Sequence, residues 1–177
     1  LITQNKSVSL TRTVSDLSMM SFSLDMATVF ENYILNILKT NQIEFGESFH
    51  ILDGNSEGRQ PLFNDRASPP AKPDYILKCD DSTIFLMDAK YKVAPKETDR
   101  YQIISHCLSY GATIAILIFP KTERVNSGLR YFGSIGKVFQ IRIYEYFYDL
   151  AAEDLLEQEK LLISEIKELL RECSSSI

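Results

Sequence analysis

From residue 25 onward the apolar and polar positions of this chain fall into clear periods. Over 25–39 the apolar residues Met26, Phe30, Tyr33, Ile34, Ile37 and Leu38 recur at helical spacing, with Thr28, Asn32 and Asn36 on the wet side. Asp25 stands where an N-cap belongs. Ile43, Phe45, Phe49 and Ile51 alternate and predict a strand over 43–52, followed by a turn over 53–58. The stretch 61–72 contains Pro69-Pro70, lacks a period and is predicted to be a loop. Two apolar runs, Tyr75–Leu77 and Ile84–Met87, bracket a polar segment and predict a hairpin. A helix is predicted over 99–111, with Asp99 as its cap and Gly111 ending it in the left-handed conformation. The apolar run 112–120 then predicts a fully buried strand. A short strand is predicted over 129–133. A second is predicted over 137–148, with Val138, Gln140, Arg142 and Tyr144 on one side and Phe139, Ile141, Ile143 and Glu145 on the other. Residues 150–171 read as a helix with Leu155, Leu162, Ile166 and Leu169 along one seam, packed on the domain's own core. Residues 1–24 are Ser/Thr-rich and weakly patterned, and read as a linker. The order of elements predicts one α/β domain over 25–177, with a mixed central sheet flanked by helices.

Two acids and a lysine are set around the predicted hairpin. Asp74 follows Pro73 at the start of the first run, and Asp88 ends the second, so both stand at the hairpin's open end. Residues two apart on a strand share a face, which puts Lys90 beside Asp88 and turns Tyr91 the other way. Taken singly, Pro73-Asp74 is common turn chemistry and Asp88, at a strand end, a helix or turn cap. Together they gather two carboxylates and an ammonium at one apolar spot, where unpaired charge is costly. A divalent cation is the natural partner, and Mg²⁺ favours oxygen ligands of this kind. Gln102 and His106 share one face of the following helix. Gln102 is the candidate of the two, and His106 reads as a hydrogen-bonded structural residue. Glu31 lies at the border of the first helix's apolar stripe. Lys72 and Arg100 flank the motif as candidates for phosphate contact, whereas Lys92 and Lys96 read as solvated.

Asp74, Asp88 and Lys90 around a hairpin, followed by a helix and a buried strand, resemble the active site of the PD-(D/E)XK nuclease superfamily. The string Asp88-Ala89-Lys90-Tyr91-Lys92, the later Tyr101-Gln102 and the earlier Phe30-Glu31 are similar to McrC, the nuclease subunit of McrBC modification-dependent restriction systems. The resemblance covers residues 26–120. It implies a restriction-endonuclease-like core and a Mg²⁺-dependent (or Mn²⁺-dependent) endodeoxyribonuclease. Asp74, Asp88 and the carbonyl of Ala89 would bind the ion, and Glu31 would reach it directly or through water. Lys90 would orient the attacking water and steady charge on the phosphate, and Gln102 would turn its amide to the site. The resemblance further implies double-stranded DNA as substrate, methylated or otherwise modified, a hexameric AAA+ GTPase partner of the McrB kind, and a role in host defence. It leaves a homodimer at cleavage open.

Composition changes this picture only at its edges. The 177 residues carry a net charge of −5, against the basic balance of a simple nucleic-acid binder. Residues 150–177 hold seven acids and three bases, so the remainder is close to neutral. No dense basic run is present, so intrinsic DNA affinity is expected to be weak, with a partner or a further domain delivering the DNA. No apolar run is long enough to span a bilayer. The chain opens on Leu1 without a secretory pattern and reads as a piece of a longer cytoplasmic protein. Cys79, Cys107 and Cys173 are odd in number, widely spaced and read as reduced thiols. Two alternatives stand beside the McrC-like reading: a nuclease-fold module that anchors or activates a motor ATPase, and a PD-(D/E)XK nuclease of another DNA-processing system.

Overall fold

A computed structural model describes residues 24–80 and 82–174; the linker expected over 1–24 lies almost wholly outside them. Three helices flank a mixed six-stranded sheet. The elements run α1 (Met26–Thr40), a 3₁₀ turn (Gln42–Phe45), β1 (Phe49–Asp53), β2 (Gln60–Phe63), β3 (Arg66–Ala71), β4 (Tyr75–Cys79), β5 (Ser82–Ala89), α2 (Glu97–Tyr110), β6 (Ile114–Pro120), β7 (Gly128–Ile135), β8 (Ile141–Tyr148) and α3 (Leu155–Ser174). The sheet order is β1-β4-β5-β6-β8-β7, and β2 and β3 pair separately. β5, β6 and β8 are parallel, and the strands outside them are antiparallel.

The alternation of β5 and β8 divides the core between two faces. Phe85, Met87 and Ala89, with Tyr146 and Tyr148, pack under Phe30 and Ile34 of α1 and Leu162 and Ile166 of α3. Leu86, with Ile143 and Phe147, packs under Ile103, Cys107 and Tyr110 of α2. The central strand β6 is buried along its whole length, as its unbroken apolar run predicts. The three cysteines are unpaired. Among the described residues no helix is long and apolar enough to cross a membrane.

Several sequence boundaries shift. The strand expected over 43–52 is a 3₁₀ turn followed by β1. The loop expected over 61–72 is the β2–β3 hairpin, which packs on α2 through bonds from Ser109 Oγ to Leu62 O at 2.9 Å and from Tyr110 O–H to Ala71 O at 3.4 Å. β8 starts at Ile141, because Gly136 turns the chain with φ +97° in a place where a Cβ would stand 2.0 Å from Phe139 O. Val138 is therefore fully exposed. α2 starts two residues early, with Asp99 at its third position accepting from Lys96 N–H at 3.1 Å. Gly111 ends the helix with φ +66°, as expected. α3 starts at Leu155, which is exposed, while Leu162, Ile166 and Leu169 are buried in the domain's own core.

Candidate active site

β4 and β5 bring the two acids together. Tyr75 pairs with Met87, so Asp74 meets Asp88 one step beyond. The Asp74 N–H donates to Asp88 Oδ1 at 3.3 Å, and the Ala89 N–H donates to Asp74 Oδ2 at 2.8 Å. Asp74 is 7% exposed and Asp88 is fully buried. Lys90 lies on the same side, with Nζ against Asp88 Oδ2 and 3.9 Å from Asp74 Oδ2. Its backbone leaves the sheet still held by β6, through a bond from Lys90 N–H to Ile118 O at 2.8 Å. Tyr91 turns to the opposite face and packs on Phe30 with ring centroids 5.9 Å apart.

A residue that no motif signalled holds Asp74 in place. The Gly54 N–H donates to Asp74 O at 3.1 Å. A Cβ at position 54 would stand 1.9 Å from Pro73 O, so the turn after β1 passes the Pro73-Asp74 backbone in direct contact. In sequence Gly54 is one more glycine in a polar turn, and only the register of β1 against β4 shows what it touches.

Burial and mutual repulsion set the charge states. Burial and the charge of Asp88 push Asp74 up to about 7. Burial raises Asp88 also, opposed by the Lys90 ammonium. Burial disfavours the ammonium form of Lys90, but the charges of Asp88 and Asp74 outweigh it and hold its pKa above the ordinary value. From α1, Glu31 is half-buried, and burial and the nearby charge of Asp74 push it up to about 7, with Lys90 opposing. α1 is tied to the site by the Tyr75 hydroxyl, which donates to Glu31 O at 2.8 Å.

From α2, His106 is 7% exposed, and its Nδ1 has no hydrogen-bond partner, contrary to the satisfied histidine expected. Burial and the positive charge of Lys90 hold it down to about 4, so the imidazole that approaches Lys90 is neutral. Gln102 lies one turn earlier on α2 and is exposed to solvent.

The basic residues around the site are also redistributed. Lys92 is not free: it pairs with the buried Asp99 at 2.5 Å, which fastens the loop after Lys90 to the start of α2. Arg100 turns inward to the fully buried Glu145 at 2.5 Å. Lys72 is exposed.

The donor set suits a hard cation. Asp88 Oδ2 is buried with the Lys90 ammonium directly against it, so a positive charge already stands where a cation would. Among the described residues no three His, Cys, Asp or Glu side chains stand together as a complete metal cage. Mg²⁺ needs no such cage, because it keeps several waters and binds through one or two carboxylates.

Fold and site define an α/β domain whose sheet presents two buried carboxylates and a lysine at the ends of adjacent strands. The family model for McrBC 5-methylcytosine restriction system components matches residues 1–120, well over half the chain, and the chain belongs to that family. Its fold is similar to a chain in a refined half-complex from the tetradecameric assembly of Thermococcus gammatolerans McrB AAA+ hexamers with bound McrC. The TM-score is 0.63 at 16% identity, covering 84% of this chain. The chain spans 34% of the length of that relative. No curated protein matches the sequence.

Proposed function

We propose that the domain is the cleavage module of a McrBC-type restriction system, a PD-(D/E)XK endonuclease that hydrolyses DNA phosphodiester bonds with Mg²⁺ or Mn²⁺. The observation that carries this reading is the meeting of Asp74, Asp88 and Lys90 at the open end of one hairpin, with Asp88 fully buried. Asp74 and Asp88, with the carbonyl of Ala89, would hold the ion, and Glu31 would reach it directly or through a water. The ion supplies Lewis acidity toward the phosphate and lowers the pKa of the attacking water. The chain's own part is to position and to stabilise charge. Gly54 and the Ala89 N–H fix Asp74, and the Asp74 N–H fixes Asp88. Lys90 turns an ammonium toward the reacting phosphate, where it steadies the charge that develops. The neutral His106 leaves that charge undiluted, and Gln102, at the exposed edge of α2, is available to a bound substrate.

The relative's assembly supports a motor partner of the McrB AAA+ kind, and the family's description supports DNA bearing 5-methylcytosine as substrate. A pure anchoring module is disfavoured by the site itself, because a scaffold gains nothing from a fully buried Asp88 beside a second carboxylate. The test is cleavage of a methylated duplex by the full protein with its AAA+ partner and Mg²⁺. Wild type cuts and Asp88→Ala does not; undiminished cleavage by Asp88→Ala overturns the proposal.

A further inference from the structure

We propose that Arg130, aimed by the buried Glu145, is a binding group for a backbone phosphate of the DNA beside the reactive centre; this rests on the nuclease reading above. The register places the parts. Asp88 pairs with Leu117, Leu117 with Glu145, and Glu145 with Arg130, so one row of residues crosses the strands from the site to the β7 edge. Asp88 and Glu145 both lie on the α2 side, in step with Leu86 and with Ile143 and Phe147. Two strand spacings, about 10 Å, separate Asp88 from Glu145, and a third leads to Arg130, about 14 Å from Asp88, or roughly four nucleotide rises along a DNA strand.

Glu145 is fully buried and serves two arginines at once. Its Oε1 accepts from Arg100 Nε and Nη2 at 3.2 and 2.5 Å, and its Oε2 accepts from Arg130 Nε and Nη2 at 3.1 and 2.6 Å. The two arginines share two acids, Glu145 between them and Glu97 beside Arg100 alone, so Arg130 is the one held by a single, shared carboxylate. The two arginines are placed differently. The Arg100 side chain is 13% exposed, covered by the Phe132 ring at 3.8 Å, and has Glu97 3.7 Å from its Nη1. The Arg130 side chain is 49% exposed and backed by the Phe147 ring at 4.4 Å. Among the described residues no second carboxylate bridges it. With Nε and Nη2 fixed on Glu145 and one face on Phe147, Arg130 has its Nη1 donors and other face left for a ligand. A planar guanidinium held in this way matches a phosphate.

The test compares wild type, Arg130→Gln and Arg130→Lys for binding of a short DNA duplex across a salt series, with Mn²⁺ titration in parallel. Arg130→Gln is expected to weaken binding several-fold and to lower the slope of log affinity against log salt by about 1. Arg130→Lys keeps an ion pair with Glu145, hence the fold, and is expected to lose affinity several-fold for want of the second donor edge. Mn²⁺ binding is expected to be unchanged in both. Affinity and slope equal to wild type in the folded variants overturn the proposal, as does a wild-type chain that holds no duplex at low salt. Absence of Mn²⁺ binding and cleavage in wild type, with the Arg130 effect intact, would instead overturn the nuclease reading and leave the phosphate contact standing.

Discussion

Lys90 is the residue on which the account of the site turns, because it stands where a cation is wanted and yet is assigned a different task. Its Nζ rests against the fully buried Asp88 Oδ2. Lys90→Ala is therefore expected to leave Mn²⁺ affinity equal or higher, since a competing positive charge is removed. Cleavage by the same variant is expected to fall about 10²–10³-fold, the usual cost of losing one preorganised electrostatic contact. Calorimetry and a cleavage assay on the same preparation separate the two effects, and loss of both together would contradict the assignment. Protonation sets a second expectation. Asp74 and Glu31 are held up to about 7 without metal, and both must lose their protons to favour a cation. Mn²⁺ affinity should thus rise with pH through about 7, and level off above it. Titrations at pH 6 and pH 8 check this, and equal affinities would contradict it. At this scale the sequence was informative where spacing alone decides geometry: Asp74, Asp88 and Lys90 needed only a hairpin and a two-residue period. Gly54 was hidden because its contact with Pro73 depends on how β1 pairs with β4. The pairings of Lys92 and Arg100 were hidden because Asp99 and Glu145 reach them only in the folded chain.

At the scale of elements, burial decided what could be read in advance. β6, apolar throughout, and the β4–β5 hairpin, two apolar runs about a polar turn, stand where the pattern put them. The β2–β3 hairpin was illegible because it has almost no buried face and contains Pro61, Pro69 and Pro70, residues that ordinarily argue against a strand. As a two-stranded ribbon outside the main sheet it tolerates them. The start of α3 was misjudged because its cap lies inside the expected helix: Asp154 Oδ1 accepts from the Leu156 and Glu157 N–H groups at 2.9 and 3.2 Å. The joint of α2, β7 and β8 on Glu145 gives a stability prediction. Glu145→Ala leaves Arg100 largely buried without its carboxylate and is expected to cost about 3–5 kcal/mol. Chemical denaturation measures it, and a loss below about 1 kcal/mol would show that Glu145 does not hold these elements together.

At the scale of the whole molecule, the sheet sets the candidate residues along one row that crosses its strands. The register of the parallel strands β5, β6 and β8 and of β7 carries a line from Asp74 and Asp88 to Glu145 and Arg130. α1 and α3 close one face, and α2, reaching the site through His106, closes the other. Residues 150–177 hold seven acids against three bases, and α3, which forms most of this segment, packs on the face opposite the α2 side on which Asp88 and Arg130 stand. Low overall basicity is thus compatible with a nucleic-acid substrate presented by a partner. The central claim is that the hairpin binds a divalent cation, and the most direct measurement is calorimetric titration of Mn²⁺ into wild type and Asp88→Ala, with a short duplex present in both cells. The account predicts one saturable binding event in wild type that disappears in the variant, while both proteins melt cooperatively. Equal binding by the two, or none by wild type with the duplex bound, would contradict it.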